Sequence, residues 1–144
     1  MRVKRILANV AFTIASCAVG MWIGAAHQRD AGFTAFNNEL SSVVDQVVKQ
    51  VDQNPTSAGV LKAREILNEK KSDLRNKLAD LKSEHAARAG GATLTEFAEN
   101  LSRNRLKLQQ LITENPGVKE AVKNDRQFRI SIAKLIADYH SLIQ

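Results

Sequence analysis

Three acidic side chains recur at four-residue steps, Glu65, Glu69 and Asp73. On a helix this spacing lines them along one face, because residues three and four apart are surface neighbours. Such a row can sit in water, with Lys62, Lys70 and Lys77 near enough to offset the repulsion, or it can dock a basic partner. Lys119, Lys123 and Arg126 make the opposite kind of row, with Arg129 close by. Arg103 and Lys107 repeat it, and Glu99 stands one turn before Arg103 to pair with it. Basic rows suit anionic lipid headgroups. Nucleic acid asks for stacking aromatics as well. Phe36, Phe97, Phe128 and Tyr139 instead fall at apolar helical positions, where a core uses them. No nucleic-acid partner is expected.

Other chemistry is sparse. Asp80 and Glu84 lie one turn apart and His85 follows, but no third metal ligand is near, so the group reads as a solvated helix face. His27, His85 and His140 are far apart in the chain. There is no Gly-x-Ser-x-Gly, no phosphate loop, no dinucleotide fingerprint and no His-Glu-x-x-His. The expectation is a protein with no catalytic residues, no metal and no cofactor. The single cysteine excludes an internal disulfide framework and a thiolate zinc cluster. It is Cys17, in an apolar stretch where a thiolate is disfavoured.

That stretch is the strongest signal in the chain. Met1–Arg5 is basic, and Ile6 to Ala26 then runs without a formal charge until Arg29 and Asp30. As a helix these residues span roughly 31 Å, the thickness of a bilayer's hydrocarbon core. The positive flank is N-terminal only, so the N-terminus is expected to stay in the cytoplasm while the rest crosses. An uncleaved anchor fits best, because the apolar part of a signal peptide is only about 7–15 residues long. Cleavage near Ala26, after the small residues Gly24-Ala25, is the alternative, and would release the chain to the periplasm. Cys17 is a lipidation candidate through Ile14-Ala15-Ser16-Cys17, although the chain stays apolar well beyond it. Ser16, Gly20 and Gly24 recur every four residues, a small-residue stripe through which two membrane helices can pack closely, and also a common feature of such segments. Trp22 falls near the outer end, where interfacial aromatics collect.

The formal charge is +6, and Arg2, Lys4 and Arg5 supply half of it. The high pI therefore owes as much to the flank of the apolar segment as to the remainder of the chain. Gly (7), Pro (2) and the 5% aromatic content are low, which excludes flexible linkers and argues against a β-sandwich or barrel. The division expected is a membrane or signal segment over residues 1–30 and one helical domain over 31–144.

Four helices are expected in that domain. The first, Ala35 to Asp52, has Phe36, Leu40, Val43, Val44, Val47, Val48 and Val51 on one face. The second starts at Asn54-Pro55, with Asn54 as cap and Pro55 in the first turn. It runs to about Ala87 on a stripe of Val60, Ala63, Leu67, Leu74, Leu78 and Leu81, and Gly90-Gly91 ends it. The third opens with Thr93-Leu94-Thr95-Glu96, read as a capping box. It carries Leu94, Phe97, Leu101, Leu108, Leu111 and Ile112. The fourth starts at Asn115-Pro116, kinks or pauses at Asn124-Asp125, and presents Phe128, Ile132, Leu135, Ile136, Tyr139, Leu142 and Ile143.

The fold expected is thus all-α, an antiparallel up-down four-helix bundle or two αα-hairpins behind a membrane helix. The two Asn-Pro corners read as shared punctuation rather than as duplication. The first two helices are unequal, about 27 Å against about 48 Å. The surplus of the second is a hint that it packs on a protein partner or a second copy. The function expected is a non-enzymatic helical interaction module held at the cell envelope. The alternative is a periplasmic bundle that binds lipid or a small molecule.

Overall fold

Apolar residues at steps of three and four can be buried only if each helix turns its stripe toward another, and every element of the structure obeys that rule. The computed structural model describes residues 30–85 and 91–144; all the elements among them are helical. They are α1 (Asp30–Gln53), α2 (Ser57–Asp80), a π-helical turn (Leu81–His85), α3 (Gly91–Thr113), α4 (Pro116–Asn124) and α5 (Arg126–Ile143). Residues 1–29, which contain Ser16, Cys17, Gly20 and Gly24, lie outside the described residues. Among the described residues no helix is long and apolar enough to cross a membrane.

The core takes the expected positions. Leu40, Val44, Val47 and Val51 of α1 meet Val60, Ala63, Leu67 and Leu74 of α2 in one buried cluster, with Leu101, Leu108, Phe128, Leu135 and Tyr139 from the later helices. Valine is a mediocre helix former, and burial on this scale outweighs its small propensity cost.

The helix ends differ from the expectation in three places, and the fourth helix pauses at Asn124-Asp125 as expected. Thr56, not Asn54, caps α2; its Oγ1 accepts from Gly59 N at 3.1 Å. The Asn54 carbonyl is turned instead to Thr56 N, 2.8 Å away. It also lies so close to Gly59 that a Cβ there would stand 1.9 Å from it, so only glycine lets the helix start against this corner. α3 begins at Gly91, which places Thr93 buried inside its first turn and removes the capping box. The fourth helix is two helices. Asp125 leaves helical geometry and its carboxylate accepts from Phe128 N at 3.0 Å, capping α5. Asn115 behaves as expected, accepting from Val118 N at 2.9 Å with Pro116 in the first turn.

The third difference removes the expected overhang. α1 and α2 are each 24 residues long. α1 gains a turn at its start through Phe33, which is buried and meets Phe97 edge-on at 5.3 Å between ring centres. α2 gives way to the wide turn at Leu81 instead of continuing to Ala87. Leu81 is covered, since a Cβ on Gly32 would stand 3.0 Å from its Cδ2. The unequal lengths therefore no longer point to a partner.

Helix directions follow from side-chain pairs. Glu39 meets Lys77 and Gly32 meets Leu81, so α1 and α2 are antiparallel. α3 packs on α1 in the same direction, pairing Phe33 with Phe97, Ser41 with Asn100 and Asn104, Asp45 with Lys107, and Asp52 with Asn115. α5 packs on α2, with Arg64 meeting Asp138 and Lys82 meeting Gln144. The second hairpin thus lies on the first in the same orientation. The two Asn-Pro corners stack, and a Cβ on Gly117 would stand 3.2 Å from Pro55 Cγ.

Leu40, fully buried between these layers, is the most direct probe of this packing. Leu40→Ala should cost about 2–5 kcal/mol through lost burial and the cavity left behind. Leu61→Ala, at a position 53% exposed, should cost no more than about 0.5 kcal/mol. Urea unfolding followed by far-UV circular dichroism measures both.

Candidate functional site

α2 buries one stripe and gathers four carboxylates on the side away from it, with Lys62 among them. Glu65, Glu69, Asp73 and Asp80 fall within about 80° of one another on the helix, and all four are exposed. Asp73 pairs with Lys77 at 2.7 Å, and Lys77 reaches across to Glu39 of α1 at the same distance. Lys77's hydrogen bond is the main cause that holds the Asp73 carboxyl below the usual carboxylate range, and Asp73 in turn raises Lys77. Glu65 and Glu69 make no hydrogen bond or ion pair among the described residues. Of the three lysines expected to neutralise the row, Lys77 alone pairs with it.

The expected basic row is divided. Lys119 and Lys123 belong to α4, and Arg126 opens α5 beyond the Asp125 cap, so the three do not share one helix face. All three are exposed. Arg129 is removed from the group because it folds back, donating to the Val122 and Lys123 carbonyls at 2.9 and 3.0 Å and closing the end of α4. Lys107 is also committed, to Asp45 at 2.6 Å. Asp80 is exposed, and the side chains of Glu84 and His85 lie outside the description. Among the described residues no three of His, Cys, Asp and Glu gather into a metal-binding group.

Two arrangements were not expected. The first is a polar seam between α1 and α3. Asn104 is 1% exposed and donates to Ser41 Oγ at 3.2 Å and Asn100 Oδ1 at 2.9 Å, while Asn100 donates to Ser41 at 3.0 Å. Asn37 and Asn104 each bury a side-chain oxygen without a partner. Each unmet oxygen carries a desolvation penalty. The signal was present as Asn37, Ser41 and Asp45, and as Asn100, Asn104 and Lys107, at helical steps. Read one helix at a time, each of these rows resembles a wet edge.

The second is a groove of about 550 Å³ between α2 and the end of α5, lined by Lys71, Arg75 and Lys82, with Asn68, Ser72 and Leu142 among its walls. Lys82 donates to the terminal carboxylate of Gln144 at 3.0 Å. One turn beyond the groove, Arg64 donates to Asp138 at 2.7 Å, with both side chains three-quarters or more buried. Arg64, Lys71 and Arg75 are spaced by seven and four, which places them within about 40° of one another on α2, and Lys82 follows in the π-helical turn. That spacing was legible in the chain, on the side of α2 away from the acidic row.

Tyr139 and His140 close the other side of α5. The Tyr139 hydroxyl is buried without a partner, and its burial pushes the phenol pKa up. His140 is half-buried; desolvation first, and the Arg105 charge second, lower its pKa from the usual 6.5.

No protein-family model matches the chain, and no curated protein or solved structure matches it.

The His140 shift has a definite sign. The unfolded imidazole takes up its proton near pH 6.5 and the folded one only at lower pH. Its contribution is complete above the unfolded value and is lost as pH falls through the folded one. The stability lost between about pH 7.5 and about pH 5 should therefore be smaller in His140→Gln than in the parent. Equal losses in the two proteins, measured by urea titration, would remove His140 from this role.

Proposed function

We infer that the chain is a non-enzymatic interaction module, anchored in the cytoplasmic membrane by residues 6–26, with residues 31–144 outside, that docks a basic protein segment on the acidic side of α2. One observation carries the reading: Glu65 and Glu69 stand exposed and unpaired, one turn apart, on a helix whose opposite face is fixed by Leu67 and Leu74. Like charges at this spacing repel by about 0.2–0.5 kcal/mol in water. A cationic partner relieves that repulsion. Asp73 serves as an internal control, since with Lys77 in reach it forms an ion pair.

The length of the apolar run favours retention over cleavage near Ala26. Either another protein or the Lys119, Lys123 and Arg126 corner of a second copy supplies the positive charge. Docking through exposed charges speeds and orients association more than it tightens it, and it weakens with salt.

Two measurements test this. A reporter fused after Gln144 should be active only outside the cytoplasm; activity confined to the cytosol overturns the topology. Lysine-to-carboxylate crosslinking in intact membranes should capture a partner or a dimer at low salt, and Glu65→Lys with Glu69→Lys should lower the yield at least several-fold. An unchanged yield overturns the docking face.

A further inference from the structure

We propose that the groove between α2 and α5 binds a phosphate-type oxyanion through Lys71 and Arg75, with Lys82 at its mouth. This inference is independent of whether a protein docks on the acidic side of α2.

Arg64, Lys71 and Arg75 share one side of α2, and Lys82 follows in the π-helical turn. Arg64 receives a carboxylate, Asp138, from α5. Lys71 and Arg75 line a groove that has no acidic side chain on its walls, while Lys82, at its mouth, is held by the terminal carboxylate of Gln144. The acids of α2 that could have neutralised them lie around the helix, and the one in a pair, Asp73, is held by Lys77. Lys71 and Arg75, one turn apart, repel one another. The fold leaves that repulsion in place at an indentation of about 550 Å³, within the range of small-ligand sites.

The donor set favours a phosphate over a carboxylate. Arg75 offers a planar fork that can hold two oxygens, and Lys71, one turn earlier, offers a compact point charge. Asn68 and Ser72 lie on the same wall and add an amide and a hydroxyl. Donors approaching from several directions match a tetrahedral anion, which presents oxygens on more than one side. A carboxylate presents two oxygens in one plane. Lys82 donates to the terminal carboxylate of Gln144, which leaves Lys71 and Arg75 as the groove's uncompensated charges. Leu78, Ala79 and Leu142 give the same groove an apolar wall, suited to the organic arm of a phosphate ester. An ester of this kind could reach the groove as an anionic phospholipid headgroup or as a soluble phosphorylated molecule. The groove is open to solvent, so binding should be sensitive to salt.

The test uses the full chain in a maltoside detergent, which carries no phosphate, at low salt. Phenyl phosphate is titrated while side-chain and backbone nuclear magnetic resonance signals are followed. Saturable shifts are expected at Asn68, Lys71, Ser72, Arg75 and Leu142. Lys71→Ala with Arg75→Ala should weaken binding at least tenfold, and Arg75→Glu should abolish it. Lys119→Ala with Lys123→Ala should leave binding unchanged. These residues are at the surface, and circular dichroism confirms that each variant is folded. Shifts that do not saturate, equal binding by the groove variants, or acetate binding as tightly as phenyl phosphate would each overturn the proposal. Nanodiscs then separate the two sources. If the headgroup is bound, groove signals move when phosphatidylglycerol is added to neutral lipid, and phenyl phosphate then moves them no further. If the ligand is soluble, the lipid leaves them unmoved and phenyl phosphate still titrates them.

Discussion

α1 must be buried on two sides at once, and the rest of the described fold depends on that. Its apolar residues spread from Val43 on the α2 side, through Leu40 and Val51, to Phe33 and Val44 on the α3 side. A stripe this wide cannot be covered by one neighbour. α2 covers one part of it by folding back at the Asn54–Thr56 corner. The remainder is covered by α3, which returns to lie beside α1 and in the same direction. That demand explains why the packed neighbours are not simply successive helices. It also explains the stacked Asn-Pro corners, since two hairpins laid in the same sense bring their turns together at one end.

The polar seam between α1 and α3 belongs to the same constraint. Ser41, Asn100 and Asn104 form a small hydrogen-bonded group, continued by Asp45 with Lys107 and by Asp52 with Asn115. Apolar contacts alone would tolerate a slide of one helix along the other, because leucine and valine stripes look alike at successive turns. Hydrogen-bonded pairs fix the register, as a single buried asparagine does in coiled coils. The unmet oxygens of Asn37 and Asn104 show that this register carries an energetic cost.

α2 is the helix through which the body meets charged molecules. One side carries Glu65, Glu69 and Asp73 interleaved with Lys62 and Lys77, and Arg64, Lys71 and Arg75 stand on another. Asp73 and Arg64 each found a partner within the fold, through Lys77 and Asp138. Lys82 meets Gln144. Glu65, Glu69, Lys71 and Arg75 found none among the described residues. A charge left exposed in water costs little, so such rows persist without any stability reason to keep or lose them.

Much of this was legible in the chain. The spacing of Leu40, Val44, Val47 and Val51, and of Val60, Leu67 and Leu74, dictated the helices and their buried faces, because a 3.6-residue period permits few other solutions. Asn115-Pro116 announced a helix start by its own chemistry. Asn54-Pro55 has the same letters and did not, since Thr56 followed by Gly59 offered a better cap and room for the corner. The end of α2 at Leu81, the pairing of α3 with α1, the removal of Arg129 from the basic row, and the groove at Lys71, Arg75 and Lys82 were decided only in three dimensions. Each depends on which helix lies alongside, and a helix-by-helix reading cannot distinguish a polar residue facing water from one facing a neighbour 60 residues away. The sequence alone determined that the described chain is helical and which apolar stripes are buried; the tertiary structure decided which helices are neighbours, and with that which polar side chains are buried between them, where charge is cancelled and where it is left open.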